Sequence, residues 1–127
     1  MAEAIGMDYA GNPSESTLTI SGGTVKATGT GSAINAFGAS VTVTGGNIES
    51  RQEWDIYYKT GTIDLSGHSD PTGIRIYNGT DAAVTPGEDT IKLPDGYVML
   101  DSTGNVAANL AVNQTYTVCA EPVAQSV

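Results

Sequence analysis

The chain is poor in cations, in sulfur and in histidine. Five Lys and Arg stand against 14 Asp and Glu, a formal net charge of −9 at pH 7, and the five basic residues do not cluster. Such a chain has no electrostatic reason to approach phosphate backbones or anionic lipid, so nucleic acid is not an expected partner. A single cysteine, Cys119, excludes an internal disulfide and a zinc cage built on cysteines. The lone histidine, His68, has no second imidazole for a metal and no Ser or Cys placed as a nucleophile, so it reads as a solvated turn residue. No apolar run approaches the roughly 18 residues that a membrane span requires, and no membrane insertion is expected.

Charged residues make up only 15% of the 127, against about 25% in ordinary globular domains. Their place is taken by 16 Gly and by Thr, Ser and Asn, while Ile and Val far outnumber Leu. That bias toward β-branched side chains points to an all-β fold, and the length suits one domain.

The sequence repeats itself. Thr17-Leu-Thr-Ile-Ser-Gly-Gly-Thr-Val-Lys-Ala27 aligns without a gap on Ser40-Val-Thr-Val-Thr-Gly-Gly-Asn-Ile-Glu-Ser50, and a weaker copy follows at Thr62-Ile-Asp-Leu-Ser-Gly67. Between these lies a second recurring segment: Ser32-Ala-Ile34, Trp54-Asp-Ile56 and Thr72-Gly-Ile74. Apolar and polar residues alternate, the period of a strand, and Gly-rich turns separate the strands. A unit of about 22 residues built this way cannot bury its own apolar face. Stacked at the inter-strand spacing of roughly 4.8 Å, however, it lines up Leu18, Val41 and Ile63, then Ile20, Val43 and Leu65, then Ile34, Ile56 and Ile74.

The expected fold is therefore a short right-handed parallel β-helix of about three coils over residues 17–79. Residues 1–16 form an N-terminal cap or linker, and residues 80–127 form a C-terminal antiparallel β cap. The Gly22-Gly23 and Gly45-Gly46 pairs mark corners, and Lys26 and Glu49 face each other as an ion pair across adjacent coils. Cys119 reads as a small buried apolar residue. The opening Met1-Ala-Glu-Ala-Ile-Gly6 has neither the basic start nor the apolar core of a signal peptide, so the chain reads as part of a longer one.

The Thr-Ile-Ser-Gly-Gly-Thr-Val and Val-Thr-Val-Thr-Gly-Gly-Asn-Ile repeats resemble those of secreted and cell-surface β-helix proteins of Gram-positive bacteria. More distantly they are similar to bacterial carbohydrate-binding β-helix domains that contact acidic plant polysaccharides through calcium. The resemblance implies an extracellular or cell-surface module, structural or adhesive, whose partners are a polysaccharide or another surface protein. The paired Asp of that family is replaced here by Gly31-Ser-Ala-Ile34 and Gln52-Glu53-Trp-Asp55-Ile56, so only one copy keeps carboxylates. No cofactor is called for. Calcium is the one ion that the acidic turns at Asp70, Asp81, Glu88, Asp89, Asp95 and Asp101 could take, although none has the spacing of an EF-hand loop.

With the isoleucines inward, the residues between them point outward as two columns, Asn35, Tyr57 and Arg75 beside Phe37, Lys59 and Tyr77. Rings offer apolar faces to sugar C–H groups, and Arg, Lys and Asn donate to hydroxyls or uronate carboxylates. These six are the candidate glycan face. Three coils provide little groove and no paired carboxylates for glycoside chemistry, so the reading is non-catalytic. Two alternatives stand beside it: a fragment of a polysaccharide lyase or hydrolase, and an ice-binding array on the outward Thr and Ser of Thr17–Ser21, Ser40–Thr44 and Thr62–Ser66.

Overall fold

The computed structural model describes residues 5–6, 17–27, 33–50, 54–87 and 89–121. Among them the protein is all-β. The ten strands are β1 (Ile5–Gly6), β2 (Thr17–Ile20), β3 (Thr24–Ala27), β4 (Ile34–Val43), β5 (Asn47–Ser50), β6 (Ile56–Asp64), β7 (Arg75–Asn78), β8 (Ile91–Lys92), β9 (Tyr97–Leu100) and β10 (Thr115–Ala120). No helix of the described residues is long and apolar enough to cross a membrane. Most of residues 1–16, expected as an N-terminal cap or linker, lies outside the described residues.

Two sheets hold the strands. In the larger, the path runs β1-β4-β6-β7-β10-β9, with β2 also on β4 and β8 on β6; the smaller pairs β3 with β5. Pairing is parallel from β1 to β8 and antiparallel where β10 meets β7 and β9. The register follows the aligned sequence: Leu18 stands opposite Val41 and Ile20 opposite Val43, Lys26 opposite Glu49, and Ser40, Val41 and Thr42 opposite Thr62, Ile63 and Asp64. Side chains at these apolar positions point to one interior, where Ile34, Val41, Val43, Ile56, Ile63 and Leu65 are wholly buried. Each such residue contributes about 1.5–3 kcal/mol through apolar area removed from water.

Three expectations change. First, Ile56 pairs with Ile76, not with Ile74, and Tyr57 with Tyr77. A slide of two residues leaves every side chain on its own face, so alternation alone cannot distinguish the two registers; Ile74 and Ile76 are both buried. The backbone decides, because Asp55 N–H donates to the Arg75 carbonyl. Second, Ile91–Lys92, assigned by sequence to an antiparallel segment, lies parallel to Ile63–Asp64 as a further row of the column. Two residues are too few to display a period. Third, the segments on either side of Gly38 and of Gly61 belong to single strands, β4 and β6, whose pairing shifts register between Ala36 and Phe37 and again before Ser40. A bulge bends the strand there instead of a turn breaking it.

Two minor readings are also corrected. Tyr116 and Val118 face the interior of β10, and strand alternation therefore turns Cys119 the other way, where it is half-buried and its thiol reaches the Ala120 carbonyl. His68 is buried, not solvated. Its Nδ1 accepts the Asp70 N–H, so the ring proton sits on Nε2 and is donated to the Gly46 carbonyl at 3.0 Å.

The turns share a pattern. Asp64, Asp70, Asn78 and Asp101 each accept the backbone N–H of a Ser or Thr two residues on, namely Ser66, Thr72, Thr80 and Thr103. The Ser66 hydroxyl, the Ser66 amide and the Lys92 charge hold the Asp64 carboxyl below its ordinary range, despite partial burial. At Asp101 the Thr103 hydroxyl and the Asn105 amide do the same.

At the corners, Gly23 and Gly46 occupy the same aligned position and share a left-handed backbone, φ +77° and +88°. A Cβ on Gly46 would sit 2.6 Å from the Gly23 carbonyl oxygen, whereas a Cβ on Gly22 would meet nothing within 4 Å. Replacing Gly46 with Ala is therefore expected to cost about 2 kcal/mol or more, through left-handed strain and backbone collision. Replacing Gly22 with Ala should change stability by less than about 0.5 kcal/mol. Urea unfolding of both variants checks this, and equal effects would contradict the stacked corner.

Candidate functional site

β6 and β7 carry the residues of interest on adjacent parallel strands. Because Tyr57 is the register partner of Tyr77, the two rings stack along the direction between strands, with centroids 5.4 Å apart and planes at 26°. Trp54, just before β6, joins them, 4.3 Å from Tyr77 at 28° and 6.3 Å from Tyr57 at 53°. All three side chains are half-buried. Their positions are set by their surroundings: a Cβ on Gly79 would fall 2.5 Å from the Tyr57 Cζ and hydroxyl oxygen, so the ring tip lies where only a glycine backbone leaves room. The Tyr77 hydroxyl donates to Asn113 Oδ1 at 3.1 Å, and Asn113 takes a left-handed φ of 57° in its turn.

The basic residues are used differently from the expectation. Lys59 Nζ donates to the Gly79 carbonyl at 3.1 Å, tying β6 to the end of β7. Arg75 turns to Asp55: Nε reaches Oδ2 at 3.3 Å and a terminal nitrogen reaches Oδ1 at 3.0 Å, while the same nitrogen donates to the Ser50 carbonyl at 2.8 Å. The Arg75 amide also donates to Asp55 Oδ2, at 2.8 Å. The Asp55 side chain is 4% exposed and that of Arg75 33%, so this pair is mostly withdrawn from water. Asp55 also links three segments through its backbone, accepting from the Ile34 N–H and donating to the Arg75 carbonyl.

The expected columns accordingly regroup. By backbone register, Asn35 stands beside Tyr57 and Phe37 beside Thr60, but the side chains of Asn35 and Phe37 lie outside those described. The column Asn35, Tyr57, Arg75 becomes Asn35, Tyr57, Tyr77, because of the two-residue slide of β7. Phe37, Lys59 and Tyr77 do not share a column, since the shift between Ala36 and Phe37 leaves Lys59 of β6 without a register partner and sets Phe37 against Thr60. Trp54, which the sequence marks only as part of the repeat, makes the shortest ring contact of the three, to Tyr77. Its signal was present: a lone tryptophan three residues before Tyr57, at the mouth of a strand.

Elsewhere the outward hydroxyls form rows, Thr17 with Ser40 and Thr62, and Thr19 with Thr42. The second row then runs into Asp64 and Lys92, which gives the array a charged end. Among the described residues no three His, Cys, Asp or Glu side chains gather as a metal site would require. Comparison with known proteins finds no matching family model, no similar curated protein and no similar solved structure.

The Asp55–Arg75 pair yields a direct expectation. Arg75→Met leaves a carboxylate buried without its cation, at a cost of about 3 kcal/mol. Chemical denaturation at neutral pH measures it, and a loss below about 0.5 kcal/mol would show that the pair carries no structural weight.

Proposed function

We propose that the chain is a non-catalytic module of a bacterial surface protein, an extracellular structural or adhesive element that recognises carbohydrate on the face formed by Trp54, Tyr57 and Tyr77. In this reading the successive parallel passes are about three coils of a short right-handed parallel β-helix, and β9 with β10 belongs to an antiparallel cap at its C-terminal end.

The observation that carries the carbohydrate reading is the aromatic cluster itself: three rings, half-exposed, held on neighbouring strands by a glycine, a hydrogen bond and mutual stacking. Rings fixed before a ligand arrives lose little conformational freedom on binding, and they offer apolar surface bordered by phenolic hydroxyls, the chemistry that suits a sugar ring. Arg75 is neutralised by Asp55 and Lys59 Nζ is held by the Gly79 carbonyl, so the guanidinium expected to meet uronates is engaged within the protein. A neutral glycan therefore fits this face better than an acidic one.

Co-sedimentation with insoluble and gelled polysaccharides, including cellulose and pectate, in calcium and in chelator, tests the proposal. Retention on a neutral polymer, unaffected by chelator and reduced about tenfold in Tyr77→Ala with the circular dichroism unchanged, is the expected result. Retention that Tyr77→Ala leaves intact would remove this face, and no retention on any polymer would remove carbohydrate recognition.

A further inference from the structure

The smaller sheet stops one strand short. β4 has β6 beyond it and β6 has β7 and β8, but on the face of β3 and β5 nothing in the described residues continues the ladder past β5. The chain passes this position as the turn around His68–Gly73, standing off from β5 and leaving a groove of about 440 Å³. That volume falls in the range of ligand clefts, roughly 300–1,000 Å³.

The hydrogen bonds show what the groove presents. In a parallel ladder the N–H and C=O of one residue point to the same neighbour, and those of the next residue point the other way. Asn47 N–H donates to the Gly23 carbonyl, toward β3. The outward carbonyls of β5 and its corner are then those of Gly46, Ile48 and Ser50. Gly46 is met by His68 Nε2 and Ser50 by the Arg75 guanidinium, two side chains standing where an added strand would bond. Between them, the Ile48 N–H and C=O face the groove, and among the described residues neither has a partner on that side. Side-chain caps at both ends protect an edge, but here they leave its centre open.

We infer that this groove binds an extended, basic peptide segment of a partner protein, added to β5 as the missing third strand. The demand of Ile48 selects the chemistry. To satisfy an N–H and a C=O that point the same way from one residue, a ligand must supply an acceptor and a donor from two amides, spaced as in a polypeptide; a single acetamido group of a sugar supplies only one of these at a time. This is strand addition at a sheet edge. Charge selects the sequence: with Asp55 and Arg75 bound to each other, Glu49 and Asp70 line the groove against the single cation Lys26, in a chain of net charge −9.

The test uses the whole chain and a fluorescein-labelled peptide, Lys-Val-Lys-Val-Lys, followed by anisotropy and by the protein's amide spectrum. Binding with the Ile48 amide among the most shifted resonances is expected. Affinity should fall at least tenfold in Glu49→Lys, in Thr72→Trp, which fills the groove from an exposed position, and when the internal peptide nitrogens are methylated. Equal binding of the methylated peptide would reduce the interaction to charge attraction and overturn the inference. So would equal binding of Glu-Val-Glu-Val-Glu, shifts centred away from β5, or no binding of the Lys-Val peptide at all.

Discussion

The strands β2, β3, β4 and β6 each depend on a neighbour that arrives about one repeat later in the chain. A four-residue strand such as Thr17–Ile20 has one apolar face and no hydrogen-bond partner of its own. Both needs are met only when Ser40–Val43 lies beside it in register, and Ser40–Val43 needs Thr62–Asp64 in turn. A slip of one residue would turn Val41, Val43 and Ile63 out to water and bring Thr42 and Asp64 in. Register is thus the constraint under which the corners, the bulges and the aromatic stack arise. The rings of Tyr57 and Tyr77 face each other because their backbones are partners.

The regularity fails in the third pass, and most of the distinctive chemistry gathers there. The spacing that holds Thr17 to Ser40 and Ser40 to Thr62 is no longer kept: Ile56 meets Ile76 and Ile63 meets Ile91. Where the strand of the smaller sheet is missing, His68 and Arg75 take over its bonding to Gly46 and Ser50. A buried ion pair is a costly replacement for backbone hydrogen bonds, and it is tolerated because Asp55 satisfies both its oxygens with Arg75 donors.

The sequence is most informative where the chain repeats itself. The Gly-Gly corners and the alternation of Val41, Thr42 and Val43 suffice to name the sheet partners of residues 17–27. Alternation has a period of two, however, and is blind to a slide of two, which is why Ile74 was placed where Ile76 stands and why the candidate columns regrouped. A two-residue strand such as Ile91–Lys92 carries no period at all. The burial of His68 and the engagement of Arg75 come from long-range contacts with Gly46, Ser50 and Asp55, whose only sequence trace is the polar character of the residues themselves. Trp54 and the Asp-x-Ser/Thr turns, by contrast, were legible from residue type and spacing.

Amide hydrogen exchange, resolved residue by residue, examines the dependence on register most directly. If the passes stabilise one another, the amides of Val41, Val43, Ile56 and Ile63 exchange slowest and at a common opening free energy, equal to that of global unfolding. Protection confined to β9 and β10, with β4 and β6 exchanging freely, would show that the stacked parallel strands are not what holds the protein together.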